Sequence, residues 1–347
     1  MIAWNYCVMK SDREQLISKF LIESGWGGAF RESLAGDASF RNYQRLDKEG
    51  VTRILMDAPP PKEDIRPFSR IAKHLLQLGY SAPRIFDEDI TSGLLLLEDF
   101  GDETFSRVLA KGGEERSLYR LALKFLIDLH ARGLEVKPSD ILAYDENLLL
   151  QEVENFLNWY LPAVLKEEID ASGKESFRNA WRSVFSYALD VPTTLVLRDF
   201  HVDNLILLRD RKGIASCGLL DFQDAVSGPI TYDLVSLLED ARRDISWSIK
   251  TEMIGFYLNE FPDLDREKFS ASWAVLGAQR HAKVIGIFTR LYHRDGKPNY
   301  LSHIPRVWKL LESSCAHPAL SPVRLWLDRY IPRSRRIVPE GELEKDG

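Results

Sequence analysis

The chain has 347 residues, 45% of them hydrophobic, which is enough for one two-lobed enzyme or two domains with sizeable cores. Its formal net charge of −6, with both signs mixed along the chain, argues against nucleic acid as a partner because such proteins present a basic face. No apolar run approaches the ~20 residues of a membrane span, residues 1–10 lack a secretory signal, and the scattered Cys7, Cys217 and Cys315 have no disulfide or metal-ligand spacing, so we expect a cytoplasmic protein with no membrane partner.

The N-terminal part predicts one helix followed by a strand-rich region. Ser11 and Glu14 form a capping box that opens the helix, and Gly25 marks its end. Three short segments with tight connections predict strands at residues 30–34, 40–46 and 51–56. A helix at 65–78 and a hairpin with strands at 84–89 and 94–98 follow, and Gly101 closes the region.

From residue 104 onward, apolar residues recur mostly at helical spacing. The predicted helices span residues 116–132, 147–165, 176–189, 231–243, 248–260, 266–292, 304–316 and 322–330. Two apolar strands interrupt them at 205–208 and 214–220. The sequence therefore predicts an α+β fold, with a small antiparallel sheet lobe at residues 1–101 and a large, mostly helical lobe at residues 102–347.

Three polar residues flank the two apolar strands in an order that indicates phosphoryl transfer. Asp199 follows a short apolar run, Asn204 precedes the first strand, and Asp221 follows the second. Kinases place a general base and two magnesium ligands in this order. We therefore predict that Asp199 takes the proton of an acceptor hydroxyl and that Asn204 and Asp221 bind Mg²⁺. Taken singly, each of these residues could instead be a turn former or a strand cap.

These residues resemble the aminoglycoside phosphotransferase and choline kinase superfamily, whose members are related to protein kinases. Asp199, His201 and Asn204 match fixed positions of that superfamily's catalytic loop, and Asp221 fills its metal position. The resemblance implies a bilobal protein-kinase-like fold, ATP and Mg²⁺ as cofactors, and a role for Asp233 in bracing the catalytic loop.

Three features of the loop region have two interpretations. Leu197 stands where the superfamily usually carries a histidine, so the bracing of the loop is open. His201 either contacts the substrate or bonds to nearby backbone. Asp233 lies in the first turn of a predicted helix, where a negative charge is favoured without any catalytic role.

The phosphate-binding end carries a weaker pattern. Gly36 and Ser39 lie between two predicted strands and resemble the superfamily's phosphate loop, in which small residues let backbone N–H groups approach phosphate. A plain hairpin turn accounts for the same residues. Residues 94–101 resemble the hinge between kinase lobes, where backbone groups around Glu98 and Phe100 would hydrogen-bond adenine. A buried strand that enters a loop is the other interpretation.

The lysine that kinases usually place on the third strand is missing. Met56 occupies its position, and Arg53 would point to the opposite face because side chains alternate along a strand. Arg41, just beyond the phosphate loop, is our candidate for the replacement cation, although an exposed strand arginine is the simpler interpretation. Glu63 or Asp64 would have lost the lysine as a partner.

Over about residues 11–330 the chain is similar to one branch of the superfamily, the bacterial cell-wall sugar kinases. These enzymes phosphorylate N-acetylmuramate and N-acetylglucosamine at the anomeric hydroxyl. The similarity lies in segments 36–41, 55–60, 97–101, 197–199, 220–225 and 240–244. It implies a sugar and a nucleotide as partners and a role in peptidoglycan recycling. The anomeric hydroxyl is more acidic than an ordinary alcohol, which suits a single carboxylate base.

The acceptor contacts are predicted mainly by position. Gln223 and Asp224 neighbour the metal aspartate. An acidic acceptor would also favour nearby cations, and four side chains could supply one: Arg242, Arg243, Arg280 and His281. We select Arg243, although an arginine at a helix C-terminus also complements the helix dipole without binding anything.

Two other functions stay open. A kinase of a cationic alcohol, such as choline or an aminoglycoside, would need carboxylates and aromatic rings around its acceptor. Glu239, Asp240, Trp247 and Trp273 are available for that purpose. A catalytically inactive binding module would fit the two departures from the superfamily pattern, but the intact base and metal positions oppose it. The sequence leaves the oligomeric state open.

Overall fold

A computed structural model of the chain describes residues 2–34, 40–138, 140–165 and 167–339. The chain forms two compact units. Unit 1 comprises Met1–Glu114 and Val202–Asp224, and unit 2 comprises Glu115–His201 and Ala225–Gly347. The division at Gly101 made from sequence stays a prediction about functional lobes.

Unit 1 is built on an antiparallel sheet with the strand order β1-β2-β3-β5-β4. Its elements are α1 (Ile2–Glu23), β1 (Phe30–Ser33), β2 (Asn42–Lys48), β3 (Val51–Asp57), α2 (Arg66–Gln77), β4 (Ile85–Asp89) and β5 (Leu94–Glu98). Apolar side chains of α1 pack on one face of this sheet, where Ile17, Phe20 and Leu21 meet Leu46 and Leu55. The antiparallel N-terminal sheet expected from sequence is confirmed.

Unit 1 is completed by one more helix of its N-terminal stretch and by a hairpin from its second stretch, Val202–Asp224. The helix α3 (Phe105–Ala110) is followed much later in the chain by the hairpin of β7 (Leu205–Leu207) and β8 (Cys217–Leu219). Isolated bridges join Ser81 to Gly218 and Thr104 to Ile206, and the Ser81 hydroxyl donates to the Ala215 carbonyl at 2.6 Å. The hairpin that carries the predicted metal ligands is thereby fixed to the N-terminal segment.

Unit 2 is mostly helical, as the sequence predicts. Its helices are α4 (Glu115–Ala131), α5 (Glu146–Asn155), α6 (Leu161–Val164), α7 (Ala171–Leu189), α8 (Thr231–Leu238), α9 (Trp247–Glu260), α10 (Arg266–His293), α11 (Ile304–Ser314) and α12 (Ser321–Tyr330). The short strands β6 (Thr193–Val196) and β9 (Val226–Pro229) pair in antiparallel fashion. The long helix α10 runs through the apolar core, and residues such as Leu276, Ile285 and Phe288 are buried in it.

Several elements differ from the prediction. The helix predicted at 176–189 begins at Ala171, and the strand predicted at 214–220 starts as a 3₁₀ turn, so that β8 begins at Cys217. The helix α1 begins at Ile2, ahead of the capping box at Ser11, because residues 2–10 contain no glycine or proline that would end it. The helix predicted at 231–243 ends at Leu238. Beyond it, the Asp240 side chain accepts a hydrogen bond from the Arg242 N–H at 2.8 Å, and such a local bond competes with helical pairing. Strand β9 was not predicted.

Candidate active site

A pocket of about 350 Å³ lies wholly within unit 1. Its apolar lining consists of Leu34, Ile54, Phe68, Pro83, Leu97, Phe100, Ile206 and Leu220. Its polar lining includes Tyr43, Arg45, Glu98, Asp203, Asn204 and Asp221. An apolar cleft with several polar lining groups is typical of a small-molecule or cofactor site.

The predicted hinge forms one wall of this pocket. The Glu98 carboxylate is held by a short ion pair with Arg211, and the Arg211 guanidinium lies 5.0 Å from the Phe100 ring centroid. A Cβ at Gly218 would lie 3.1 Å from the same ring, so the absence of a side chain at residue 218 lets Phe100 pack closely against β8. Glu98 and Phe100 thus line the pocket, as a hinge requires.

The phosphate-binding candidates divide into two groups. Gly36 and Ser39 lie outside the described residues. Arg41 is described, and its Nε donates to Glu63 Oε2 at 3.0 Å while its Nη1 lies 3.8 Å from Asp221 Oδ1. Burial lowers the pKa of Arg41, but Tyr43, Glu63 and Asp221 raise it by more, so the side chain is always charged.

The strand geometry agrees with the alternation expected at the missing lysine. Ile54 lines the pocket, whereas the Arg53 guanidinium lies 3.9 Å from the Phe86 ring centroid. Met56 is completely buried. Neither Arg53 nor Met56 is among the lining residues of the pocket. Arg45 lines it but is paired with Asp99 and Asp102, whereas Arg41 reaches its edge, with Nη1 3.8 Å from the lining carboxylate of Asp221.

Asn204 and Asp221 lie at neighbouring ends of β7 and β8. The Asn204 amide nitrogen is 3.5 Å from Asp221 Oδ2, and Gln223 donates to Asp221 Oδ1 at 2.8 Å. Asp221 has φ of 55°, a left-handed conformation that aspartate tolerates better than most residues and that often marks functional positions. Asp224, next along the chain, is exposed, and Gln223 is buried with its Nε2 3.5 Å from Asp224 Oδ2.

The donor set at this site suits magnesium bound together with phosphate. Among the residues that the structure describes, no group of three or more His, Cys, Asp or Glu side chains could hold a metal alone. Mg²⁺ does not need such a cage, because it is usually bound by one or two protein oxygens plus substrate phosphates and waters. One carboxylate and one amide side by side in a nucleotide-sized pocket fit that requirement.

The loop with Asp199 belongs to unit 2, and the Asp233 carboxylate hydrogen-bonds to the backbone that precedes it. Asp233 Oδ2 accepts from the Leu197 N–H at 2.7 Å, and Asp233 Oδ1 accepts from the Arg198 N–H at 2.9 Å. Burial raises the pKa of Asp233 to about 7, against the lowering effect of these two donors. Leu197 is buried, so its side chain packs in the core where the superfamily has histidine. Asp233 therefore holds the backbone immediately before Asp199.

Sequence reasoning missed a second support of this loop. The buried Glu152 forms a short ion pair with Arg198, accepts from Lys283 Nζ at 2.8 Å, and bonds to the Tyr144 hydroxyl. Burial raises the pKa of Glu152, but Lys283 and Arg198 lower it by more, to about 2. Arg198 itself has φ of 69°, which is uncommon for a long side chain. A carboxylate at helical spacing from Leu149 and Phe156 is the sequence signal that points to it.

The acceptor candidates in unit 2 occupy different environments. His201 is buried, and its Nε2 lies 3.2 Å from Arg242 Nη1. Arg243 instead donates to Glu115 at 2.9 Å. Asp199 lies in the same loop as His201. That its carboxylate acts in one site with Asn204 and Asp221 stays a prediction from their order and spacing in the sequence.

Of the four residues considered for a cationic acceptor, Glu239 and Trp273 contact each other within one polar cluster. Glu239 is buried and bonds to Lys250 Nζ at 2.5 Å, His281 Nε2 at 2.7 Å and Trp273 Nε1 at 2.9 Å. Trp247 is 79% exposed. The charge of Glu239 is thus already balanced inside the protein, and it is a poor ligand for a quaternary ammonium group.

The comparison with protein families decides the class of the protein. The model of the phosphotransferase enzyme family matches residues 31–270. The chain belongs to this family. Membership confirms the resemblance found in the sequence and makes the protein a phosphotransferase. Among the described residues of this family member, no helix is both long and apolar enough to cross a membrane.

Curated relatives of this phosphotransferase cover most of its length. A protein from Caulobacter vibrioides named N-acetylmuramate/N-acetylglucosamine kinase is 36% identical over 94% of this chain and 99% of the relative. A protein of the same name from Pseudomonas aeruginosa is 35% identical over 87% of this chain and 90% of the relative.

Solved structures share the fold of this phosphotransferase. A choline kinase from Streptococcus pneumoniae superposes with a TM-score of 0.61 at 14% identity, covering 88% of this chain and 99% of the other. The gentamicin complex of APH(2″)-IIa gives a TM-score of 0.59 at 14% identity, covering 85% of this chain and 97% of the other. At such identities the likeness concerns the fold alone, and it confirms the predicted kinase-like architecture.

Proposed function

We propose that this phosphotransferase transfers a phosphoryl group from ATP to the anomeric hydroxyl of N-acetylmuramate and N-acetylglucosamine. The observation that carries the proposal is that four curated relatives, 34% to 36% identical over 78% to 94% of this chain, all bear the name of that kinase. We also propose that the enzyme is cytoplasmic and takes part in peptidoglycan recycling.

The nucleotide occupies the pocket of unit 1 in this proposal. The base lies between the apolar walls beside Glu98 and Phe100, and the phosphates extend toward Arg41. Gly36 and Ser39 contribute backbone N–H groups to the phosphates. Mg²⁺, when bound by Asn204 and Asp221, neutralises phosphate charge and polarises the terminal phosphoryl group.

Asp199 acts on the acceptor. Its carboxylate accepts a hydrogen bond from the anomeric O–H and takes the proton as the oxygen forms its bond to the γ-phosphorus of ATP. The bond between that phosphorus and the β–γ bridging oxygen breaks in the same step, and ADP is the leaving group. Asp233 holds the preceding backbone through two hydrogen bonds of 2.7 and 2.9 Å, so the carboxylate of Asp199 starts from a fixed backbone position. His201, Gln223, Asp224 and Arg243 are the proposed neighbours of the sugar.

A phosphorylation assay tests the proposal. The purified protein with ATP and Mg²⁺ should convert both amino sugars to 1-phosphates, and the methyl glycoside of N-acetylglucosamine, whose anomeric oxygen is capped, should remain unphosphorylated. Asp199→Asn should lower kcat by about 10²- to 10⁴-fold, the usual contribution of a general base. Asp210→Asn, in the exposed turn after β7, is the matched control and should retain activity.

The alternatives make different predictions in the same assay. Turnover of choline or an aminoglycoside without turnover of either amino sugar would replace the proposed substrate. Absence of any turnover, with Asp199→Asn identical to wild type in nucleotide binding and stability, would favour an inactive binding module.

A further inference from the structure

The hinge side of the pocket in unit 1 depends on side-chain contacts as well as on strand pairing. Glu98 is the last residue of β5, and Phe100 lies two residues beyond it. Both residues line the pocket. A segment that hydrogen-bonds a base binds it more tightly when its backbone is already fixed, because ordering the backbone on binding costs affinity. The contacts of these two side chains therefore bear on the affinity for the base.

Arg211 contacts both of these hinge side chains. It lies in the turn that follows β7, where its N–H donates to the Leu208 carbonyl at 3.2 Å. Its guanidinium forms the short ion pair with Glu98, and the same group lies 5.0 Å from the Phe100 ring centroid. A planar guanidinium can pair with a carboxylate and stack on a ring at the same time, which an ammonium group cannot do. Arg211 does not line the pocket, so it acts through the two residues that do.

The Glu98 carboxylate is also fixed from a second direction. Its Oε2 accepts from the Arg84 N–H at 3.2 Å, while the Glu98 N–H donates to the Arg84 carbonyl at 2.8 Å. The two residues thus exchange one side-chain bond and one main-chain bond. The side chains of Glu98 and Arg211 are only 20% and 23% exposed, so water and salt screen their ion pair less than they screen a surface pair.

The register of the sheet shows how Glu98 contributes to the pocket. Ile54 and Leu97 are cross-strand partners, and both line the pocket. Glu98 pairs with Arg53, and by the alternation of side chains along a strand its carboxylate extends toward the opposite face. Glu98 therefore presents its main chain to the pocket. Arg211 holds the carboxylate at the back of this strand end and so fixes the position of the main chain in front.

We infer that Arg211 is a positioning residue for the base of the nucleotide: its guanidinium holds the Glu98 main chain and the Phe100 ring in the arrangement that binds adenine. The inference rests on the proposed nucleotide site and goes beyond it, because it assigns affinity for the base to a residue outside the pocket. It concerns the base alone, since the phosphates extend toward Arg41 in the proposed complex.

The test separates the base from the phosphates with two probes, adenosine and inorganic tripolyphosphate with Mg²⁺. In Arg211→Met, the Kd of adenosine and the Kd of ATP, both measured by calorimetry, should rise about 10-fold, because the hinge must then be ordered on binding. The Kd of tripolyphosphate should stay within about two-fold and kcat at saturating ATP within about three-fold. Arg211→Lys keeps the charge but loses the planar group, so its Kd values should lie between those of wild type and Arg211→Met.

Arg209→Met is the matched control. Arg209 lies in the same turn and pairs with Glu103 at 2.6 Å, with its side chain 66% exposed. Neither Arg209 nor Glu103 lines the pocket, so all three Kd values should equal those of wild type. Equal losses of adenosine binding in Arg209→Met and Arg211→Met would overturn the inference. A folded Arg211→Met that loses tripolyphosphate as strongly as adenosine would overturn it as well.

A double variant tests the route through Glu98. Glu98→Gln breaks the ion pair, so Arg211→Met should weaken adenosine binding less in that background than in wild type. Losses that simply multiply would overturn the inference. Circular dichroism reports folding, and if Arg211→Met is unfolded, Arg211→Lys takes its place in every comparison.

The same measurements separate the inference from the proposed function. A wild type that binds ATP but phosphorylates neither amino sugar would overturn the proposed acceptors and leave the role of Arg211 to the binding data. A wild type that binds neither adenosine nor ATP would overturn the proposed nucleotide site, and the inference with it.

Discussion

Arg41 donates from its Nε to Glu63 Oε2 at 3.0 Å, and both side chains are largely buried. In kinases the corresponding glutamate pairs with a strand lysine. Here the strand position that carries this lysine in kinases aligns with Met56, which is completely buried. The cation that pairs with Glu63 is instead the guanidinium of Arg41. The other end of the same guanidinium lies 3.8 Å from Asp221 Oδ1. We propose that this pair takes the place of the lysine–glutamate ion pair of kinases, with its basic partner immediately before β2 instead of on β3.

Arg41→Met should raise KM for ATP and lower kcat/KM by about 10- to 100-fold, because it removes charge-assisted contacts to phosphate. Steady-state kinetics at varied ATP would measure the effect. Arg53→Met is the matched control: this arginine packs 3.9 Å from the Phe86 ring on the other face of β3 and should leave KM for ATP unchanged. Equal effects of the two substitutions would show that Arg41 has no special role.

Glu152→Gln should lower both stability and kcat. The substitution removes a buried charge from between Arg198 and Lys283, and breaking such a cluster costs about 3 kcal/mol. Glu154→Gln on the same helix breaks a half-exposed pair with Arg178, worth about 0–1 kcal/mol. Urea unfolding and kcat of the two variants should therefore differ clearly, and similar values would contradict a positioning role for Glu152.

Asp233 predicts a particular dependence of stability on pH. Its pKa is raised from 3.8 to about 7, so the native protein keeps this proton in a range where the unfolded chain has released it. The contribution of this group to the free energy of unfolding should fall as pH rises from about 4 to about 7. The asparagine of Asp233→Asn does not titrate. The free energy of unfolding of the wild type minus that of the variant, measured by urea unfolding at several pH values, should therefore decline across this window. A difference that is independent of pH would contradict the assignment.

Gly218→Ala should weaken nucleotide binding. The added Cβ would lie 3.1 Å from both Phe100 and Leu208, so the hinge phenylalanine must shift. Overpacking of this kind costs about 1 kcal/mol or more, and we expect KM for ATP to rise several-fold with kcat nearly unchanged. Gly255→Ala, in α9, meets nothing within 4 Å and serves as control. An unchanged KM for ATP in Gly218→Ala would show that Phe100 does not contact the nucleotide.

Short-range patterns predicted most elements of the fold. Apolar strand-forming segments and the turn residues between them placed β2, β3, β4 and β5 within about two residues of their bounds. Strand β9 was missed because Val226–Pro229 contains a glycine and a proline and pairs with distant β6. The end of α8 was missed because the decisive bond is made by a side chain, Asp240.

The candidate site was predicted only where its residues are neighbours in sequence. The order of Asp199, Asn204 and Asp221 could be read directly, because it reflects loop and strand spacing. Glu152 is 46 residues from Arg198 and 131 from Lys283, and no local pattern encodes such pairings. The same holds for Arg41 and Glu63, for which the sequence could offer candidates but no contact.

Unit 1 draws on two separated stretches of the chain, Met1–Glu114 and Val202–Asp224. During synthesis on the ribosome, the N-terminal sheet emerges long before β7 and β8, which supply Ile206, Leu220, Asn204 and Asp221 to the pocket. Part of the apolar surface of the nascent sheet therefore stays uncovered until residue 224 has left the exit tunnel. A fragment that stops at residue 114 would lack one wall of the nucleotide pocket and both proposed magnesium ligands.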